Sequence, residues 1–283
     1  IKKFLSYYQP NIGLILETEL WFNLINQCKL NKIPLHLINA RLSKKSLNRY
    51  LPYKKFINLG LSKLKSIYVR SDEDLANFSE LTRVNTKIMG NIKFDSVPPL
   101  GTKKKIKLLK EQLKISNEFI LVAGSTRPGE EKILLKLVEK LNNKKLILVI
   151  VPRHPERFIE VEKIFQSQSL TIERKSKLEN LVKTPKYILG DTMGDLYELY
   201  GAATLAIIGG SILNYGGQNP IEPMCSNIQT AVGPSIYNFK EMVIGAEKHN
   251  AIFRFKNIIE LEKIIKKLLR EGQVNQGILK NAR

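Results

Sequence analysis

Short apolar runs recur along this chain, each closed by a polar or Gly/Pro break and followed by a stretch whose apolar residues return with helical spacing. Eight runs read as strands: Ile12–Leu16, Leu35–Ile38, Ile67–Val69, Lys87–Met89, Phe119–Ala123, Leu146–Val151, Tyr187–Leu189 and Leu205–Ile208. Strand and helix in alternation predict parallel sheets with crossover helices. Between the fourth and fifth runs lies "DSVPPLGTKKKIK", where Pro98, Pro99 and Gly101 break regular structure and the like charges of Lys103–Lys105 oppose compaction. The pattern therefore predicts two α/β domains, residues 1–97 and 106–283, joined by a linker at 98–105. Two such domains leave a cleft, and open parallel sheets bind ligands outside the carboxyl ends of their strands.

The informative residues fall at those ends. "GSTRPGEE" follows Phe119–Ala123, "PRHPERF" follows Leu146–Val151, and "GDTMGDL" follows Tyr187–Leu189. After Leu205–Ile208 comes "GGSILNYGGQNPIEP", which holds four glycines and two prolines and no charge before Glu222. Each tip leads into a helix whose first N–H groups are unpaired and partly positive, a row of donors that suits a phosphate. Each also has a capping reading. Asn219 serves as an N-cap with Pro220 at the first helical position and Glu222 completing a capping box. Thr192 or Asp191 caps the preceding helix, with Asp195 in its first turn. Four polar tips on one edge, three of them richer in glycine than a cap requires, favour a ligand.

Composition narrows the partner. The chain has 283 residues, 43% hydrophobic and 25% charged, the balance of a folded globular protein. Its 46 Lys and Arg against 26 Asp and Glu give a net charge of +20, which favours a phosphorylated ligand, an anionic membrane surface or nucleic acid. A bias toward Lys, Ile and Asn gives the same excess as a plain solvated surface. Aromatic residues are not interleaved with the basic runs, so a stacking platform for nucleic acid is not expected. No window of about 18 apolar residues free of charge occurs, and two cysteines point to a reducing, cytoplasmic setting rather than a disulfide framework. "SDED" at Ser71–Asp74 reads as a helix cap with acidic first-turn residues rather than a metal-holding carboxylate pair, and the three histidines are scattered. Neither a metal site nor a cofactor is expected. Walker A, GxSxG and GxGxxG patterns are missing, which disfavours ATP hydrolysis, α/β-hydrolase chemistry and a dinucleotide.

Taken in order, "ETELWFNLI", "NARLS", "GNIKFD", "AGSTRPGEE", "VPRHPERF", "GDTMGDLYELYGAA", "GGSILNYGGQNPIEP" and "GPSIYNFKE" resemble the motif series of bacterial Kdo transferases, from Asn11 to about Gln276. The resemblance implies a GT-B enzyme of two Rossmann-like domains that moves 3-deoxy-D-manno-octulosonic acid (Kdo) from CMP-Kdo to a lipid A precursor, lipid IVA, with inversion and without a metal. It matches Pro152, Arg153, Met193, Gly194, Asp195, Asn219, Pro220, Ile221 and Glu222 to CMP contacts, with the glycines giving the nucleotide close approach to the backbone. Glu17 and Lys93 match positions of transition-state support; read by themselves they are a helix-cap carboxylate and a solvated lysine. The family's general base is a Glu in a Gly- and Ser-containing motif before "ETELW", behind a membrane-anchoring segment. Residues 1–283 do not include that motif, so an incomplete N-terminal domain and a nucleotide-binding remnant in need of its base are expected. Its setting would be the cytoplasmic face of the bacterial inner membrane. Another GT-B nucleotide-sugar enzyme, or a non-catalytic basic protein, are the alternatives.

Overall fold

The computed structural model describes residues 1–178, 181–271 and 276–281, and the chain divides into two compact units, Ile1–Asp95 and Ser96–Arg283. The tail of the motif series, where "NQGILKNAR" begins and ends, lies partly outside the described residues.

The first unit holds strands β1 (Gly13–Leu16), β2 (Leu35–Ala40), β3 (Ser66–Val69) and β4 (Thr86–Ile88), paired in parallel in that order. α1 (Lys2–Tyr8) precedes β1, and between the strands run α2 (Phe22–Leu30), α3 (Lys44–Tyr50), α4 (Lys54–Leu61) and α5 (Asp72–Leu81). Leu35, Leu37, Ile67 and Val69 share a core with Ile25, Leu61 and Phe78 of the helices. On β1 only Ile15 is buried, while Leu14 and Leu16 are 56% and 51% exposed.

The second unit carries strands β5 (Phe119–Thr126), β6 (Leu146–Pro152), β7 (Glu173–Arg174), β8 (Tyr187–Leu189), β9 (Leu205–Ile208), β10 (Gln229–Val232) and β11 (Phe253–Arg254). Its helices are α6 (Thr102–Gln112), α7 (Glu130–Leu141), α8 (Phe158–Gln166), α9 (Leu196–Ala202), α10 (Ile221–Cys225), α11 (Lys240–Lys248), α12 (Ile258–Glu271) and α13 (Gln276–Asn281). The parallel sheet runs β11-β10-β9-β5-β6-β8-β7. The central strands β6, β8 and β9 and the first half of β5 are unbroken apolar runs because both faces are covered. Leu121, Ala123, Leu148 and Ile150 pack with Leu134, Val161 and Leu261 on one face; Ile120, Val122, Ile147 and Val149 pack with Leu109, Leu199 and Tyr200 on the other.

All eight expected strands occur, with three more. β10 lacks the expected apolar run because half of it is polar and nonetheless buried: Gln229 and Thr230 are fully enclosed, with Gln229 Nε2 donating to Thr204 O and Thr230 Oγ1 to Ile228 O. The expected linker is irregular only over residues 96–101 and then enters α6. Lysine is a good helix former, and Lys103–Lys105 stay solvated while Thr102, Ile106 and Leu109, at helical spacing, face the protein.

Candidate functional site

Strand order reverses between β5 and β9, so the carboxyl ends of these two strands flank a topological switch point, where doubly wound sheets bind ligands. The four polar tips, three of them Gly-rich, belong to β9, β5, β6 and β8, four neighbours in the sheet. Sequence positions from Ser125 to Glu222 are thereby gathered along one edge.

A buried carboxylate ties that edge together. Glu130, at the start of α7, accepts hydrogen bonds from the Arg127 amide at 2.9 Å, Gly210 at 2.7 Å, Ile212 at 3.0 Å and Leu213 at 3.2 Å. Burial pushes its carboxyl above the ordinary range, against the opposing effect of those four amides. The stretch after β9 also closes on itself, with Gly217 N–H donating to Gly210 O and Gln218 N–H to Gly209 O. Next to Glu130, the enclosed Glu131 accepts from Thr126 Oγ1 at 2.8 Å and Arg157 Nη1 at 2.6 Å, and Arg157 also forks onto Glu160. The pairing raises the already high basicity of Arg157 in spite of its burial. Arg157 of "PRHPERF" is thus structural.

The glycines mostly serve this packing. A side chain on Gly209 would meet the Ser125 carbonyl oxygen at 2.2 Å, so close strand-to-strand contact fixes glycine there. Gly194 differs: its φ is +83° and nothing lies within 4 Å of where a side chain would sit, leaving open space above the β8 tip. Close approach of a ligand to bare backbone is therefore available at Gly194, while Gly209 meets protein.

The matched residues contribute unequally. Pro152 ends β6 and is buried; Arg153 follows it, exposed, its amide bonded to Thr126 O at 3.0 Å and its guanidinium within electrostatic reach of Glu222. Met193 is 72% exposed beside Gly194. Asp195 stands at the N-cap of α9 without capping it; its carboxylate pairs with Lys175 Nζ at 2.9 Å, and Lys175 also reaches Glu198 at 3.5 Å. Burial opposes ionisation of Asp195, but hydrogen bonding and the Lys175 charge outweigh it and hold the carboxyl low. Asp191 is not a cap either: it accepts from Ser176 N at 2.9 Å and Ser176 Oγ at 2.6 Å. The helix boundary at α10 falls one residue later than expected, with Pro220 at the N-cap, while Asn219 Oδ1 accepts the Ile221 N–H at 3.1 Å. Ile221 sits in the core, so its side chain is spent on packing. Among the described residues the capping box is not closed: no bond joins Glu222 to the Asn219 amide. Burial pushes the Glu222 carboxyl up, opposed by a hydrogen bond from Asn219 and the Arg153 charge. Arg153 and Glu222 are thus the matched side chains whose charge is not spent on capping or a close ion pair.

In the first unit, Glu17 follows β1 with φ +62° and its carboxylate accepts from Arg70 Nη2 at 2.9 Å. Lys93 Nζ lies 3.9 Å from the same oxygen. Arg70, beyond β3, is held in turn by Nε donation to Asn39 O at 3.0 Å, and Asn39 Oδ1 accepts the Ile92 N–H at 3.2 Å. Glu17 is no helix cap, since Trp21 holds that position of α2 without a side-chain bond. Ser71 does cap α5, accepting Asp74 N–H at 3.2 Å while Asp74 takes Leu42 N–H at 2.7 Å. Among the described residues no cluster of His, Cys, Asp or Glu could hold a metal ion, and no helix is long and apolar enough to cross a membrane.

Sequence reading passed over Glu130, Arg127, Lys175 and Arg70. Only Glu130 carried a signal, as an acid in a helix first turn, and that signal spoke for a dipole rather than for three amides some 80 positions on.

Two Rossmann-like units with parallel sheets, one with a polar edge at its switch point, define an α/β architecture of the GT-B type. HepE of Anabaena in complex with UDP has this fold, with a TM-score of 0.54 at 17% identity over 99% of this chain and 74% of its own. A family profile described as 3-deoxy-D-manno-octulosonic-acid transferase (kdotransferase) matches residues 1–96. The 3-deoxy-D-manno-octulosonic acid transferase of Haemophilus influenzae is 36% identical over 248 residues, covering 86% of this chain and 57% of its own length. The C-terminal CMP-Kdo binding domain of WaaA from Acinetobacter baumannii matches with a TM-score of 0.61 at 32% identity, over 65% of this chain and 97% of that domain. The chain belongs to the Kdo transferase family. It spans about half of the length of the curated relatives it matches, from 44% to 58% in the first three.

Proposed function

We propose that residues 96–283 bind CMP-Kdo at the β9-β5-β6-β8 edge, and that the chain supplies donor binding and transition-state support for transfer of Kdo to a lipid A precursor in lipopolysaccharide synthesis. The observation that carries this reading is the convergence of Arg153, Gly194 and Glu222 on neighbouring strand tips at the switch point, with Arg153 and Glu222 held by neither a cap nor a close ion pair. Arg153 suits the phosphate, as a charge-assisted donor with a forked geometry. Glu222 suits the ribose hydroxyls, which would donate to its carboxylate. In the transfer the acceptor hydroxyl oxygen bonds to the anomeric carbon, the carbon–phosphate oxygen bond breaks, and CMP leaves with the electron pair. The hydroxyl proton goes to a base, which this reading assigns to the family's Gly- and Ser-containing motif and not to Glu17. Positive charge on the sugar ring in an oxocarbenium-like state suits the Glu17 carboxylate, and the growing phosphate charge suits Lys93. The +20 charge fits attraction to the anionic cytoplasmic leaflet, where such an acceptor resides. Calorimetric titration tests the reading: CMP should bind, and UMP should bind more weakly. Equal affinity for both nucleotides would favour another nucleotide-sugar enzyme of the same fold, and no binding of either would favour a non-catalytic protein.

A further inference from the structure

Arg127, like Arg153, is a cation on this edge that no carboxylate pairs with closely among the described residues. It leaves the end of β5, beside the switch point, and its side chain spans both neighbouring tips. Nη1 lies 2.7 Å from His154 Nε2, beyond β6, and the guanidinium carbon stands 5.0 Å from the centre of the Tyr215 ring, in the loop after β9. Because a guanidinium can only donate, His154 Nε2 is the acceptor and Nδ1 carries the ring proton, on the side facing Glu156 at 3.8 Å. Arg127 Nε is buried without a partner, and among the described residues no carboxylate pairs with the group. Arg157 close by is saturated by Glu131 and Glu160. The ring beneath and the imidazole beside it fix the guanidinium plane, so the fork is oriented before any ligand arrives. A half-buried cation held in place with an unsatisfied donor is stabilised when an anion completes it.

The donor read into this site offers two anions at a single carbon. An octulosonic acid linked through its anomeric carbon to CMP carries the phosphate and the sugar's own carboxylate on that carbon. Arg153 and Arg127 stand on the tips of adjacent strands, which run about 4.8 Å apart, a spacing suited to two anionic groups so joined. We propose that Arg127 binds the donor's carboxylate and so selects a nucleotide-linked 2-keto acid sugar over nucleotide sugars that lack this group. The proposal rests on the reading of this edge as a CMP-sugar site.

Titration of CMP and of CMP-Kdo into the wild-type chain, Arg127→Gln and Arg127→Lys separates the two ideas. Wild type should bind CMP-Kdo more tightly than CMP. In Arg127→Gln, CMP-Kdo affinity should fall by roughly 10- to 100-fold while CMP affinity stays within about threefold, and Arg127→Lys, a point charge without the fork, should recover part of the loss. Equal loss of both ligands in Arg127→Gln, or no loss of either, overturns the carboxylate role and leaves the CMP site standing. A wild-type chain that binds neither ligand overturns the site reading, and the proposal with it.

Discussion

In the seven-stranded unit the buried Glu130 carboxylate gathers four backbone amides from two loops, whereas in the four-stranded unit Glu17 lies half exposed and is held at close range by Arg70. The strands around Glu130 are covered on both faces; β1, which leads to Glu17, leaves Leu14 and Leu16 half exposed. A carboxylate enclosed with four donors fixes loop geometry before a ligand arrives, because moving any one loop strands a buried donor. A carboxylate half open to water imposes less, since water replaces it beside its partner at small cost. On the proposed function, the difference would separate binding from chemistry: one unit as a preformed nucleotide cradle, the other as the source of charges near a reacting sugar.

Breaking the cradle should have the largest effect. Glu130→Ala leaves four amides without their acceptor, and two left unsolvated at about 1–3 kcal/mol each already cost on the order of 4 kcal/mol. Thermal unfolding of the variant should show a marked loss of stability together with loss of CMP binding. A variant as stable as wild type would mean the loops hold without the clamp.

A smaller effect concerns pH. Burial raises the folded-state pKa of Glu222 above 4.5, so ionised Glu222 is available to ribose hydroxyls above that raised value and is lost as pH falls through it. CMP affinity of the wild type should therefore weaken on acidification at a pH above the ordinary carboxylate range. Glu222→Gln should bind less tightly at neutral pH and keep only the slope due to the nucleotide phosphate, whose second pKa is about 6. Ionising a carboxyl with a raised folded pKa costs stability at neutral pH, so the variant should be no less stable than wild type. Identical pH profiles in both proteins would remove Glu222 from the site.

Much of this was readable in the sequence, and the failures share a cause. The eight strands announced themselves as apolar runs, and the four tips were recognisable from their polar residues, three of them also from glycine content. Capping arguments failed at Asp191 and Asp195 because local sequence could not reveal Ser176 and Lys175, fifteen to twenty residues away and wired across from β7. The same holds for Glu130, whose amide partner Gly210 lies 80 positions on. β10 hid because its polar residues are buried yet satisfied, Gln229 by the Thr204 carbonyl and Thr230 by that of Ile228, which composition cannot show.

The smallest expected effect sharpens the other side of the contrast. Glu17→Gln removes the charge at the half-exposed end of the pair, 48% exposed, while Arg70 keeps its bond to Asn39 O, and should change stability by less than about 1 kcal/mol in chemical denaturation. A loss several times larger would show that this unit too depends on a buried charge network.

The most direct measurement is calorimetric titration of CMP into the wild-type chain and Arg153→Ala. Arg153 is exposed, so its removal leaves the fold intact while deleting a hydrogen bond to a charged group, worth about 1.5–3 kcal/mol. The switch-point edge as a CMP site predicts binding by the wild type and an affinity about 10- to 150-fold weaker in the variant. Equal affinities, or no binding by the wild type, would contradict it.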